Sequence, residues 1–231
     1  MLLGDSNSSV RPVAVVTSNR LFTRRLSSIL EDWNFDVVDA PGDAKVTFVE
    51  RGVTPPEGGE VVWLSPMPLS EENFLVVPLS LTELYGVLEK IFFPIPRRHI
   101  RVATDASAVL EYGGKWRKAQ LISLSDRGGR FLCDDELHRQ SSLTVEIKLP
   151  GRLLRTAAEV LYCVSAGDHP GRQQPQVGVL FKPVDSQLVI ALRRFIEKGN
   201  IESACAREGI AGNDPCLSWI DYAADPWVDL P

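Results

Sequence analysis

The chain has 231 residues, a net charge of −5, 44% hydrophobic and 24% charged residues. That is the make-up of an ordinary globular chain with room for two small domains or one large one. No run approaches the ~20 apolar residues of a membrane span, and MLLGDSNSSVRP at the start lacks the basic and apolar regions of a secretory signal. The expectation is therefore a cytoplasmic protein with no membrane insertion.

Residues 1–93 read as strands alternating with helices. VAVVT (13–17) is the continuous apolar run of a buried parallel strand, and Ser18 or Asn19 can cap a helix directly after it. Phe22, Leu26, Ile29, Leu30 and Trp33 fall on one face of that helix. FDVVDA, VTFVE, EVVWL and FLVVP are short strand candidates. Ser80 and Glu83 have capping-box spacing ahead of a helix with Leu84, Leu88, Ile91 and Phe92 inward. Alternating β and α units predict a parallel sheet with helices.

This order is similar to the receiver domain of two-component response regulators, and FLVVPLSLTELYGVLEKIF resembles that family's last strand and helix. The resemblance implies acidic residues after the first strand, a phosphoacceptor Asp after the third and a Lys before the proline of the fifth. Here Ser18 and Asn19 replace the acidic pair, Val77 stands at the Lys position and Glu50 lies near the expected acceptor. Too little chain separates VTFVERG from VVWLSP for a crossover helix. The expectation is a degenerate receiver-like domain that takes no phosphate.

From residue 101 the pattern changes to short alternating segments punctuated by Gly113-Gly114, Gly128-Gly129, Pro150-Gly151 and the loop AGDHPGRQQP. VATDASAVLEY, KAQLISLS, GRFLC, SLTVEIKLP, TAAEVLYCV and QVGVLFKPV make six strands, predicting a small antiparallel barrel. A closing helix starts at Asp185 with Leu188, Leu192, Phe195 and Ile196 on one face, and Gly199 reads as its stop. The last stretch, CLSWIDYAADPWVDLP, is acidic and aromatic. It is either a flexible terminus or a segment docked through Trp219, Tyr222 and Trp227.

Charge follows the same division. Residues 1–93 hold seven Lys/Arg against thirteen Asp/Glu, a net −6; residues 94–198 hold seventeen against eleven, +6; residues 199–231 hold one against six, −5. A basic module between two acidic ones suggests an anionic partner for the middle segment. Cys133, Cys163, Cys205 and Cys216 and His99, His138 and His169 are scattered, with no CxxC pair or zinc spacing, so no metal or cofactor is expected.

Two motifs concentrate the chemistry. RRHIR (97–101) has RxxxR spacing directly after the linker FPIP, and SLSDRGGRFL (123–132) is close to [D/N]xSxxG. Together with VGVLF (177–181) and LRRFIE (192–197), these resemble the PilZ domain, over about 97–198. The resemblance implies a receptor for the second messenger cyclic di-GMP, with Arg97, Arg98, Arg101, Ser123, Ser125, Gly128 and Arg130 at the ligand. Guanidinium groups fork onto phosphates or guanine edges and stack on bases. Ser125 supplies a hydroxyl, and Gly128 is expected to let the loop backbone approach the ligand. Ser123 departs from the family's Asp or Asn, whose oxygen accepts from guanine donors. An unsatisfied donor costs roughly 1–3 kcal/mol, about ten- to a hundredfold in affinity. Asp126 could substitute only if its loop bends back.

The expected organisation is an α/β receiver-like domain (1–93), a six-stranded PilZ-like barrel with its closing helix (94–198) and a tail (199–231). Function is expected to be that of a non-enzymatic cyclic di-GMP effector acting on an unidentified protein partner, as monomer or homodimer. The alternative is an adaptor that binds protein only. Aromatic side chains are not interleaved with the arginines, which argues against nucleic acid.

Overall fold

The structure, a computed structural model, describes residues 10–70, 73–94, 99–168, 173–182, 185–209, 218–221 and 225–227. It divides into two compact units, residues 1–98 with 199–222 and residues 99–198 with 223–231.

The first unit is built on a five-stranded parallel sheet. Its elements are β1 (Pro12–Val16), α1 (Arg20–Asp32), β2 (Asp36–Val37), β3 (Val46–Glu50), β4 (Glu60–Ser65), β5 (Phe74–Val76) and α2 (Leu81–Phe92). The strand order is β2-β1-β3-β4-β5, one of the two common doubly wound orders. Asn19 is the cap of α1, its Oδ1 accepting from Phe22 N at 3.1 Å. Asn34, at φ +61, turns the chain out of the helix. Of the predicted inward face, Phe22, Leu26, Ile29 and Leu30 are fully buried against a core containing Val13, Val46, Phe48 and Val62, whereas Trp33 caps the helix end and is half-buried. No helix joins β3 to β4. Pro55 and Pro56 lie in that link, and Gly52, Gly58 and Gly59 take positive φ there, a composition that cannot build a crossover helix. At Gly59 a side-chain carbon would lie 2.5 Å from the Ala44 carbonyl oxygen.

The second unit is a closed barrel of β6 (Arg101–Tyr112), β7 (Lys115–Ser125), β8 (Gly128–Cys133), β9 (Ser142–Leu149), β10 (Arg152–Val164) and β11 (Gln176–Lys182). Round the barrel the order is β10-β11-β8-β7-β6-β9, every pair antiparallel. Closure leaves no unpaired edge. Gly113 and Gly114, both at positive φ, make the two-residue turn between β6 and β7. Leu110, Leu121, Phe131, Val145, Ile147, Val160 and Val177 are fully buried within it.

Helix α3 (Ser186–Glu208) corrects the sequence reading at its C-terminus. It runs through Gly199 and stops at Gly209, whose φ is +63. A helical glycine costs only ~1 kcal/mol relative to alanine, and the apolar spacing carries on past it. Ile201, Ala204 and Cys205 are buried, and Asn200 Oδ1 accepts from Trp33 Nε1 at 2.9 Å. Arg207 adds bonds to the Ser28 hydroxyl at 2.7 Å and Asp32 at 2.8 Å. Residues 186–198 therefore count with the barrel, and 199–208 with the sheet, where they pack on α1.

Beyond the helix, the two described tryptophans of the tail are docked, which decides between the two readings for them. Trp219 lies 4.9 Å from the Phe22 ring, and its carbonyl accepts from Leu79 N at 2.8 Å. In the barrel unit, Trp227 stacks on Phe195 at 5.3 Å and donates from Nε1 to the Pro150 carbonyl at 3.0 Å. Tyr222 lies outside the described residues. Among the described residues no helix is long and apolar enough to cross a membrane, and no group of three or more His, Cys, Asp or Glu could hold a metal.

Candidate functional site

The ladder of β6, β7 and β8 brings the two sequence motifs side by side. Arg101 faces Ser125, and Ser125 faces Gly128. One step along, Ala103 faces Ser123 and Ser123 faces Arg130. Residues directly opposite in a ladder share a face, and Ser123 and Ser125, two apart, share it as well. Leu124, between the two serines, is fully buried, while Arg101 is exposed, Ser123 and Arg130 are half-buried, and Ser125 and Gly128 are buried. Five of the seven predicted ligand residues thus lie on one patch of three adjacent strands. Arg97 and Arg98 fall outside the described residues.

Local contacts show what holds this patch. Ser125 is 7% exposed; its hydroxyl donates to the Gly128 carbonyl at 3.1 Å and accepts from Arg127 N at 3.4 Å. It closes the two-residue β7–β8 turn. Gly128 has a structural duty beyond the one expected of it. A side-chain carbon there would lie 2.1 Å from the Val179 carbonyl oxygen, so β11 can pair with β8 only because residue 128 is glycine.

Arg130 is steadied from a strand that sequence reasoning did not connect to it. Its Nε donates to the Tyr162 hydroxyl at 3.2 Å. Gly178 lies between them in the ladder, opposite both Arg130 and Tyr162. A side-chain carbon at Gly178 would sit 2.2 Å from Tyr162 Cε1. The glycine of VGVLF therefore makes room for the tyrosine ring, which remains 37% exposed. An aromatic residue opposite an in-strand glycine was the available signal.

Asp126, weighed as a substitute acceptor for guanine, is committed elsewhere. It is 2% exposed, its Oδ2 is 2.6 Å from Arg193 Nε of α3 and its Oδ1 is 2.8 Å from His99 Nδ1. The Arg193 guanidinium pairs with this buried carboxylate, so Asp126 offers little net negative charge to the patch.

A second set of predicted positions lies in the sheet unit, at the carboxyl ends of β1 and β3. This is the switch point where doubly wound sheets place ligands. Ser18 N and Oγ both donate to Glu50 Oε2, at 2.6 and 2.7 Å. Asn19 spends its side-chain oxygen on the α1 cap, and Val77 donates its N–H to the Ser65 carbonyl at 2.9 Å.

Residues 96–198 match the family model described as PilZ domain. A comparison with curated proteins found no match. Among solved structures, the chain is similar to the inhibitor of motility MotI/DgrA of Bacillus subtilis, at 17% identity and a TM-score of 0.39, over 44% of this chain and 49% of that one. It is similar to the PilZ domain with c-di-GMP of YcgR from Escherichia coli at 14% identity and a TM-score of 0.42, over 50% of this chain and all of that one. With YcgR in complex with c-di-GMP the identity is 17% and the TM-score 0.43, over 49% of this chain and 50% of that one. The chain thus spans about half the length of MotI/DgrA and of YcgR in these matches.

Proposed function

We propose that the barrel binds cyclic di-GMP and that the protein is a non-enzymatic, cytoplasmic effector. In this reading, Arg97, Arg98, Arg101, Ser123, Ser125, Gly128 and Arg130 form the ligand face. The observation that carries it is the alignment of Arg101, Ser125 and Gly128 beside Ser123 and Arg130 on one patch. Arg101 and Arg130 supply guanidinium forks for phosphate oxygens or guanine O6 and N7. Tyr162 holds Arg130 through Nε and leaves its terminal nitrogens to the ligand. The match of residues 96–198 to the PilZ domain model supports the same reading.

The output is relayed to a protein partner by the sheet unit, which acts without phosphate. Arg97 and Arg98 directly follow Phe93-Pro94-Ile95-Pro96, so the first ligand contacts sit on the link between the units. A dianionic ligand gripping these arginines makes contacts in the bound state only, and this shifts the orientations the link allows. Calorimetry with cyclic di-GMP against GTP tests the ligand assignment. Saturable binding of the cyclic dinucleotide alone is expected, and absence of heat with either overturns it.

A second reading has its own support. Ser123 is too short to replace an Asp or Asn acceptor, and the Ser125 hydroxyl already closes the β7–β8 turn. On that reading the barrel is an adaptor that binds protein only, and the same calorimetry separates the two.

A further inference from the structure

We infer that Asp126 is a positioning residue for the arginine motif. Its buried carboxylate ties the start of that motif's strand to the second motif and to the closing helix. The inference rests on the cyclic di-GMP reading and goes beyond it, since Asp126 itself is placed away from the ligand.

Three segments far apart in sequence meet at this one side chain. His99 lies inside RRHIR, between the arginines at 98 and 101. Asp126 occupies the β7–β8 turn, and Arg193 is on α3. The carboxylate takes Arg193 Nε on Oδ2 at 2.6 Å and His99 Nδ1 near Oδ1 at 2.8 Å. It is 2% exposed, whereas the side chains of His99 and Arg193 are 33% and 41% exposed. A buried carboxylate is tolerated only with such partners. The side chains of His99 and Arg193, by contrast, reach water on their outer sides. Asp126 is thus the fixed point and the other two are held to it.

What Asp126 fixes is the point where the arginine motif enters the barrel. Ile100 is buried, and Arg101 begins β6 opposite Ser125. His99, two residues before Arg101, has no ladder partner; its Nδ1 lies against the carboxylate instead. Ordering a residue's backbone costs conformational entropy. A residue already ordered in the free protein removes that penalty from ligand binding. Arg97 and Arg98 directly precede this residue in the sequence. Through Arg193, the same carboxylate makes the position of His99 felt by α3.

The test is a double-substitution cycle read by cyclic di-GMP calorimetry on the full chain, with Asp126→Asn and His99→Gln. Each single change is expected to weaken binding about tenfold, by loosening the contact that holds residue 99. The pair is expected to bind no more weakly than the weaker single, because both remove the same tether. Arg101→Ala added to Asp126→Asn should contribute its own full loss. Wild-type affinity in both singles, or losses that simply add, overturns the inference. Amide hydrogen exchange gives an answer without ligand. Asp126→Asn should speed exchange at residues 99–103 while residues 108–112 of the same strand keep their protection. If wild type takes no cyclic di-GMP, the ligand reading falls, and unchanged exchange at 99–103 sinks the tether separately.

Discussion

The two units treat their polar residues in opposite ways. At the switch point of the sheet, polar side chains satisfy one another. Ser18 donates twice to Glu50, Asn19 caps α1, and the remaining position is Val77. On the barrel, supporting polar groups lie beside the motif residues. Ser125 closes a turn, Tyr162 holds Arg130, and Asp126 takes Arg193 and His99. The contrast separates two arrangements of polar groups. In the first, the would-be ligands are each other's partners. In the second, neighbouring residues hold the motif residues in place.

The largest effect that can test this contrast is in the barrel's frame. Gly128→Ala forces a carbon to within 2.1 Å of the Val179 carbonyl oxygen, which is backbone and cannot swing away. Either β8 and β11 part locally or the turn distorts. The expected loss is about 3 kcal/mol, at the upper end for overpacking, read as a lowered Tm of the barrel transition. A neutral outcome would mean that the glycine serves the ligand alone.

Next in size is Arg101→Ala, expected to weaken cyclic di-GMP binding by more than about 1.4 kcal/mol, a tenfold change. Its counterpart is Ser123→Asp, which supplies the missing acceptor and is expected to tighten binding. Arg101→Ala at wild-type affinity would shift the assignment to the protein adaptor. The two variants together decide whether the exposed charge is functional or only a solvated surface.

A smaller effect separates the units by pH. Burial pushes the Cys133 thiol up from 9.0 to about 11, and Cys163 close by adds to the shift. Between those values the unfolded chain loses the proton and the folded barrel keeps it. This contribution to stability is therefore full below pH 9 and lost as pH rises through about 11. The barrel transition should weaken over that window more than it does in Cys133→Ala. Equal slopes in the two proteins would remove Cys133 as the cause.

Legibility from sequence tracked the range of the interactions involved. The barrel strands could be read because their signals are local. Gly113-Gly114 and Pro150-Gly151 mark turns, and the alternation between them has period two. The sheet strands and the inward faces of α1 were local in the same sense. Gly199 misled because its local meaning, a helix stop, is outweighed by packing of Ile201, Ala204 and Cys205 and by the Asn200–Trp33 bond. The neighbours of the site were hidden for a related reason. Asp126 depends on residues 99 and 193, Gly128 on residue 179 and Arg130 on residue 162. No stretch of a single sequence contains those pairings, so the motif residues were visible and their supports were not.

The smallest expected effect is none at all, and it is the sharpest statement about the sheet unit. Phosphoryl transfer to a receiver needs a carboxylate nucleophile, carboxylates for Mg²⁺ and an ammonium for the transferred group. At the matching places stand Glu50, Ser18 with Asn19, and Val77. Glu50 Oε2 already accepts from two donors of Ser18, which lowers its nucleophilicity and occupies the space an incoming phosphoryl would take. Asn19 cannot turn toward a metal without uncapping α1. Incubation with acetyl phosphate, or with beryllium fluoride and Mg²⁺, should therefore leave the mass of the protein and the tryptophan fluorescence unchanged. Glu50→Gln sharpens the result, because it keeps the shape of the pair and removes its charge. It is expected to cost about 1 kcal/mol in the stability of the sheet unit and to leave cyclic di-GMP binding by the barrel unaltered. A stoichiometric phospho-adduct within residues 1–93, abolished by Glu50→Gln, would return the sheet unit to the class of working receivers and end the contrast between the two units.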